Sequence, residues 1–145
     1  MASREVSGRL GKMKLTSRSE YALLALVYLS RHGSEGYVSV ETIALAQGIP
    51  PKFLEQILLA LKRAKYLRSS KGQRGGYRLA KPAERITLAE IIRALDGALA
   101  PTQSVSVYFY DSTPIEKEKN LVRVFKRIRN SIAEKLENTT LADVS

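Results

Sequence analysis

Between Ile43 and Leu58 the chain reads IALAQGIPPKFLEQIL, and this stretch constrains the fold more than any other. Gly48 supplies a sharp turn because glycine tolerates positive φ. Pro50 and Pro51 then open a helix, since proline fits a first turn where its missing N–H is no loss. The spacing predicts one helix over Val40 to Ala46, capped by Ser39, with Ile43 and Ala44 inward. It predicts a second over about Pro51 to Ala64, with Phe53, Leu54, Ile57, Leu58 and Leu61 recurring at helical spacing. Two helices joined by so tight a turn make a helix-turn-helix.

Beyond the second helix, Lys71 to Pro82 reads KGQRGGYRLAKP. A phosphate cradle would need G-K-[ST] leading into a helix, and neither is present. A loose linker would lack the strand-like punctuation of Tyr77, Leu79 and Pro82. Two short strands, Tyr66 to Ser69 and Tyr77 to Ala80, joined by a glycine-rich turn with Arg74 at its tip, fit instead. A hairpin directly after a helix-turn-helix reads as a wing.

The flanks complete the organisation. Ser17 and Glu20 have capping-box spacing and open a helix whose Tyr21 to Ser30 stretch is apolar nearly all round, hence central in a core. Gly33 and Gly36 end it. Thr87 and Glu90 have the same spacing and open a helix through Leu95, closed by Asp96-Gly97. Residues 98–113 form a linker in which VSVYFY is a short strand or a packed loop. Thr113, Pro114 and Glu116 signal the start of a long helix, 114–138. Its Leu121, Phe125, Ile128, Ile132 and Leu136 make a narrow apolar stripe that must pack back on the domain or on another copy. Residues 139–145 read as a tail, and 1–12 as a disordered arm or a cloning remnant. The fold class is therefore mainly α: a winged helix-turn-helix domain at 13–97, with a two-stranded β-hairpin wing, followed by a long C-terminal dimerisation helix.

Charge points to the partner. The formal net charge of the 145 residues is +10. Between Glu55 and Glu84 there is no acid and there are eight bases: Lys62, Arg63, Lys65, Arg68, Lys71, Arg74, Arg78 and Lys81. Cations on one continuous surface supply sequence-independent affinity for phosphates. The recognition helix, from Pro51, would place its N-terminal side chains against base edges in the major groove. Arg74 at the wing tip suits a narrow minor groove, where the potential is most negative.

Four segments, MKLTSRSEYALLAL, IALAQGIPPKFLEQIL, LKRAKYLRSSKGQRGGYRLAKP and ITLAEIIRALDG, resemble in order and spacing the Rrf-two family of bacterial transcription regulators. The likeness covers Met13 to Gly97 closely and the long helix in general form. It implies a winged-helix homodimer whose protomers cross their long helices, and a cytoplasmic repressor of transcription. Carried over, Lys52, Phe53, Glu55, Gln56 and Lys62 belong to the recognition helix, with Glu55 and Gln56 facing bases. Glu accepts from a cytosine amino group and Gln bonds adenine, although Glu55 could equally pair with Lys52 or Lys62. Phe53 either joins the core or touches the DNA sugar edge. Lys71, Gln73, Arg74, Gly75, Gly76 and Tyr77 match the wing, with Tyr77 a packing residue. Lys14, Ser17 and Arg18, at the start of the first helix, bind phosphate. Leu121, Phe125, Ile128, Ile132 and Leu136 serve dimerisation.

The chain departs from the family pattern in one respect. Cluster-binding members carry three cysteines in the linker, and this sequence has none. No iron–sulfur cluster, thiolate metal site or disulfide is expected, and no metal-ligand spacing is present. Tyr108, Phe109 and Tyr110 either line a pocket for a small-molecule effector or simply pack, and a protein could dock on the linker instead. The single histidine, His32, ends a helix, so no Ser-His-Asp set exists and an enzyme is not expected. The longest apolar run, YALLALVYL, is too short to span a bilayer, so no membrane role is expected. A second class of function is a winged-helix module whose cations dock an acidic protein.

Overall fold

A computed structural model describes residues 15–97 and 103–145. Helix α1 spans Ser17–Arg31, α2 Val40–Gln47 and α3 Pro51–Arg63. Strands β1, Leu67–Ser70, and β2, Gly76–Leu79, form an antiparallel pair in the register Leu67↔Leu79, Arg68↔Arg78, Ser69↔Tyr77 and Ser70↔Gly76. Helix α4 spans Leu88–Leu95, α5 Lys119–Glu137 and the short α6 Leu141–Val144. Lys14, the arm at 1–12 and linker residues 98–102 lie outside the described residues.

The core gathers around α1, whose Ala22, Ala25, Leu26 and Leu29 are buried at helical spacing. It packs against α2, α3, α4, α6 and β2. Ile43 and Ala44 of α2, Leu54, Ile57, Leu58 and Leu61 of α3, and Leu67 of β1 close over it. Ser39 caps α2 by accepting from the Thr42 amide at 3.2 Å, and Gly48 ends it at φ 65°. The turn between α2 and α3 is thus the one the glycine and prolines dictate.

Three local expectations are revised. The cap of α1 is Thr16, not Ser17: the Thr16 hydroxyl accepts from the Ser19 amide at 3.2 Å. Thr16 also donates its amide (3.1 Å) and hydroxyl (2.6 Å) to the Asp96 carboxylate at the end of α4, so a residue 80 positions away selects the cap. The Thr113–Glu116 signal opens only a 3₁₀ turn, Pro114–Lys117, and α5 begins at Lys119. Glu116 faces the linker, where its carboxylate accepts from the Tyr110 hydroxyl (2.5 Å) and the Ser112 hydroxyl (2.7 Å), and so does not reach back to the cap. The VSVYFY stretch is neither strand nor fully packed: Val105 and Ser106 are buried, and Val107 to Tyr110 are exposed.

Residues 139–145, read as a tail, are structural. Leu141 is fully buried in the main core. Its amide donates to the Ile86 carbonyl and the Leu88 amide donates to the Thr139 carbonyl, each at 2.9 Å. Thr140 and Asp143 form a capping box that holds α6 in place.

Candidate nucleic-acid interface

Helix α3 buries one face and leaves the other to solvent. Leu54, Ile57, Leu58 and Leu61 are at most 1% exposed. Lys52, Gln56, Leu59 and Arg63 recur three and four residues apart on the opposite side, and all four are exposed. Glu55 and Lys62 flank this row, also exposed. Among the described residues the side chains of Glu55 and Gln56 have no hydrogen bond, and Glu55 is not ion-paired to Lys52 or Lys62. Phe53, for which the sequence leaves both core and DNA contact open, is 37% exposed and meets the Tyr21 ring edge-on at 5.5 Å. It rims the helix rather than joining its core.

The helix ends on Lys65 at φ 70°, among the described residues the sole non-glycine at positive φ. The Tyr66 amide donates to Leu61 and the Lys65 amide to Lys62, each at 2.9 Å, the crossed bonds of a Schellman cap. This cap turns the chain straight into β1, so the wing is placed by the end of the recognition helix itself.

The wing is bound to the domain at its base. Val38, ahead of α2, exchanges two 2.8 Å backbone hydrogen bonds with Tyr77, a single bridge on the free side of β2. Gly76 sits at φ 146°, and a Cβ there would run into the Val38 carbonyl. A Cβ on Gly75 would meet the Ser70 carbonyl. The two glycines therefore have structural reasons of their own, and Tyr77, half-buried against the core, packs as expected. Lys71, Gln73 and Arg74 are exposed at the tip. A groove of about 620 Å³ runs from that tip to the start of α2, with Gln73 and Arg74 on one wall and Tyr37, Ser39 and Thr42 on the other.

The hairpin is also braced from α4. The Tyr66 hydroxyl donates to Glu90 at 2.9 Å, Lys81 pairs with Glu90 at 3.5 Å, and Lys81 lies over the Tyr66 ring at 5.4 Å. Burial, the bond to Glu90 and the charge of Glu90 push the Tyr66 hydroxyl up to about 12. Burial would raise Glu90, but the amide and hydroxyl of Thr87, the Tyr66 hydroxyl and Lys81 together outweigh it. They hold that carboxyl below the usual range.

Ser17 and Arg18 are exposed at the start of α1. The aromatic patch of the linker stands largely in solvent, with Tyr108 70% and Tyr110 56% exposed. Tyr108 and Phe109 share a cleft of about 20 Å³ with Arg93, Arg129 and Ala133, room for about one water. Arg93 stacks on the Tyr108 ring at 5.1 Å and donates to Glu137 at 2.5 Å, while Arg129 donates to the Val105 carbonyl at 2.9 Å.

On α5 the apolar stripe divides. Leu136 packs against Ala89 and Ile92 of α4. Leu121, Val124 and Ile128 are 46%, 44% and 39% exposed, and no residue of α5 is buried. Sequence reasoning passes over Val124, and counts Arg63 among the bases without placing it in the exposed row of the recognition helix. Val124 lies three residues from Leu121 and four from Ile128, and Arg63 lies four from Leu59, so spacing alone points to both.

Comparison with known proteins gives a consistent result. Residues 15–145 match the Rrf2 family model, described as "Iron-dependent Transcriptional regulator". The protein Rv1287 of Mycobacterium tuberculosis is 38% identical over 133 residues, 92% of this chain and 81% of the relative. The HTH-type transcriptional regulator CymR of Bacillus subtilis is 31% identical over 133 residues, 92% of this chain and 90% of that one. The structure of that protein, described as the global cysteine regulator of B. subtilis, superposes with a TM-score of 0.74 at 30% identity, over 90% of this chain and 95% of that one. The T. potens IscR structure gives 0.70 at 31% identity, over 90% and 85%.

Proposed function

The chain belongs to the Rrf2 family of transcriptional regulators, and from that premise we propose that it is a repressor that binds a pseudo-palindromic operator as a homodimer. The family regulates transcription and is not a family of enzymes. One observation carries the reading: the exposed row of α3 (Lys52, Gln56, Leu59 and Arg63) leads through the Lys65 cap into a wing whose tip carries Lys71, Gln73 and Arg74. The chain has no acid between Glu55 and Glu84. Helix α3 enters the major groove, where Gln56 bonds adenine and Glu55 a cytosine amino group. Arg74 and Lys71 follow the backbone beside it, and Ser17 and Arg18 add phosphate contacts at the start of α1.

The half-exposed Leu121, Val124, Phe125 and Ile128 of α5 meet the same residues of a second copy, while Leu136 holds α5 to its own α4. Two-fold symmetry then places two α3 helices about 34–36 Å apart, one turn of duplex. A dimer covering that span excludes other proteins from it, which is repression by occupancy.

An iron–sulfur cluster does not fit. Cluster iron is held by thiolates, and the sequence contains no cysteine. In the linker, Ser104 accepts from Thr113 at 2.7 Å, Ser106 accepts from the Phe109 amide at 3.0 Å, and Ser112 bonds Glu116. These hydroxyls are engaged by a threonine hydroxyl, a backbone amide and a carboxylate. Among the described residues no group of three His, Asp or Glu side chains is placed to hold a metal ion.

Selection of bound fragments from a random duplex pool, with footprinting of the winners, tests the reading. A two-fold-symmetric consensus is expected. Arg74→Ala should weaken all sequences and lower the salt slope by about 1, whereas Gln56→Ala should cost about 1–3 kcal/mol at one base position. No duplex binding at low salt by a dimeric protein would refute it.

A further inference from the structure

The outer face of the wing carries an arrangement that is costly unless an anion occupies it. Arg68 and Arg78 are directly opposite each other in the β1–β2 register, and both are exposed. Like charges placed across a strand pair repel and destabilise it. Nothing nearby relieves this: among the described residues neither arginine has an ion pair or a side-chain hydrogen bond. Glu84 shares a groove with Arg78 but does not pair with it. Lys81, the next cation along, is already committed to Glu90 and the Tyr66 ring.

Arg78 is instead held by an aromatic. Its guanidinium lies over the Tyr37 ring at 5.6 Å. Tyr37 precedes Val38, whose single bridge to Tyr77 sets Tyr37 beside Arg78, and Arg78 in turn lies opposite Arg68 across the two-stranded wing. A guanidinium held over a ring by cation–π attraction, with no side-chain hydrogen bond of its own, keeps N–H donors for another partner, and their fork matches the geometry of a phosphate. Tyr37 also walls the groove that runs to Arg74 at the tip, which joins these residues to the proposed DNA surface.

We propose that Arg68 and Arg78 form a two-arginine phosphate clamp, with Tyr37 positioning Arg78, and that a phosphodiester of the bound duplex fills it. This rests on the DNA-binding reading for its occupant, but the clamp itself is a separate claim about the wing. It extends the contact surface from the tip, where Arg74 acts, to the strands, and it adds affinity without reading bases.

The experiment uses the full chain and the Arg68→Thr/Arg78→Thr double variant, threonine being a good strand former on an exposed face. Thermal unfolding is measured in chloride and in inorganic phosphate at equal ionic strength, and duplex binding is measured over a salt series. In low-salt chloride the variant should melt about 1–4 °C above the parent, because the repulsion is gone. Phosphate should raise the parent's midpoint and leave the variant's unchanged. Duplex affinity should fall about tenfold or more with the salt slope reduced by about 2, and the consensus should not change. Arg68→Lys/Arg78→Lys should restore the slope but not the full affinity, since charge returns without the fork.

Equal phosphate shifts in parent and variant would overturn the clamp. A phosphate effect confined to the parent, with duplex binding unaltered, would overturn the duplex as occupant and assign the site to a free phosphate-bearing molecule. If the parent binds no duplex at all, the DNA reading fails by itself, and the phosphate arm still decides whether the clamp exists.

Discussion

Helices α3 and α5 are both amphipathic and both basic, yet they are finished in different ways. Helix α3 buries four side chains completely within its own protomer, so its exposed row is presented by a rigid support. Helix α5 is longer and buries none. Its last turns lean on α4, and its first turns show leucine, valine and isoleucine to solvent. A helix whose apolar face is satisfied inside one domain can act as a reading head. A helix left half-covered offers its apolar face to a partner, which the proposed dimer would supply.

The largest effect should come from cutting the support of α3. Leu58 is fully buried, and Leu58→Ala should cost about 2–5 kcal/mol in denaturant unfolding with the slope unchanged. If it cost as little as an exposed α5 substitution, the contrast between the helices would be lost. Next in size, Ile128→Glu should leave the protomer folded and raise the dimer dissociation constant about 30-fold or more, seen by sedimentation. The parent's melting temperature should depend on protein concentration and the variant's should not.

Smaller effects sharpen the comparison at the joints. Glu90 couples the wing to α4, the helix on which α5 rests. Its carboxyl is held low in the folded state, so the stability it contributes is present above the ordinary carboxylate range and is lost as pH falls through its folded value. Glu90→Gln should therefore cost about 0.5–1 kcal/mol at neutral pH, and the gap to the parent should close in acid titrations. Tyr66 behaves oppositely: with its hydroxyl at about 12, its contribution is intact below pH 10 and fades as pH rises through 12. A change of the same small size is a gain. Lys65→Gly relieves the positive φ that ends α3 and should stabilise by about 0.5–1 kcal/mol in thermal unfolding. An equivalent glycine at Asn138, which ends α5 at φ −99°, should give no gain.

Much of the candidate site was legible because its signals are local and periodic. Ser39, Gly48 and Pro51 each act on backbone within a few residues, and α2, the turn and α3 appear as their chemistry requires. The row 52, 56, 59 and 63 is a matter of helical geometry. The spacing [ST]-x-x-E shows where that legibility stops, because at three expected helix starts it has three outcomes. Thr87 and Glu90 make a full capping box. Ser17 and Glu20 do not, because Asp96 fixes Thr16 as the cap. Thr113 and Glu116 do not, because Tyr110 and Ser112 draw the carboxylate into the linker. The Schellman cap at Lys65 was invisible for a related reason, since it has no glycine to mark it.

By itself, then, the order of residues determined the helix-turn-helix, the hairpin and the cation-rich, acid-free course between them, because φ preference, proline geometry and charge are properties of a residue and its near neighbours. Tertiary structure decided which of the repeated caps formed, that Leu141 closes the core, and that Arg68 faces Arg78 over the ring of Tyr37. Apart from the capture of Glu116 by its neighbours Tyr110 and Ser112, each of these depends on groups distant along the chain. Their contact energies exist only once the core has brought them within reach.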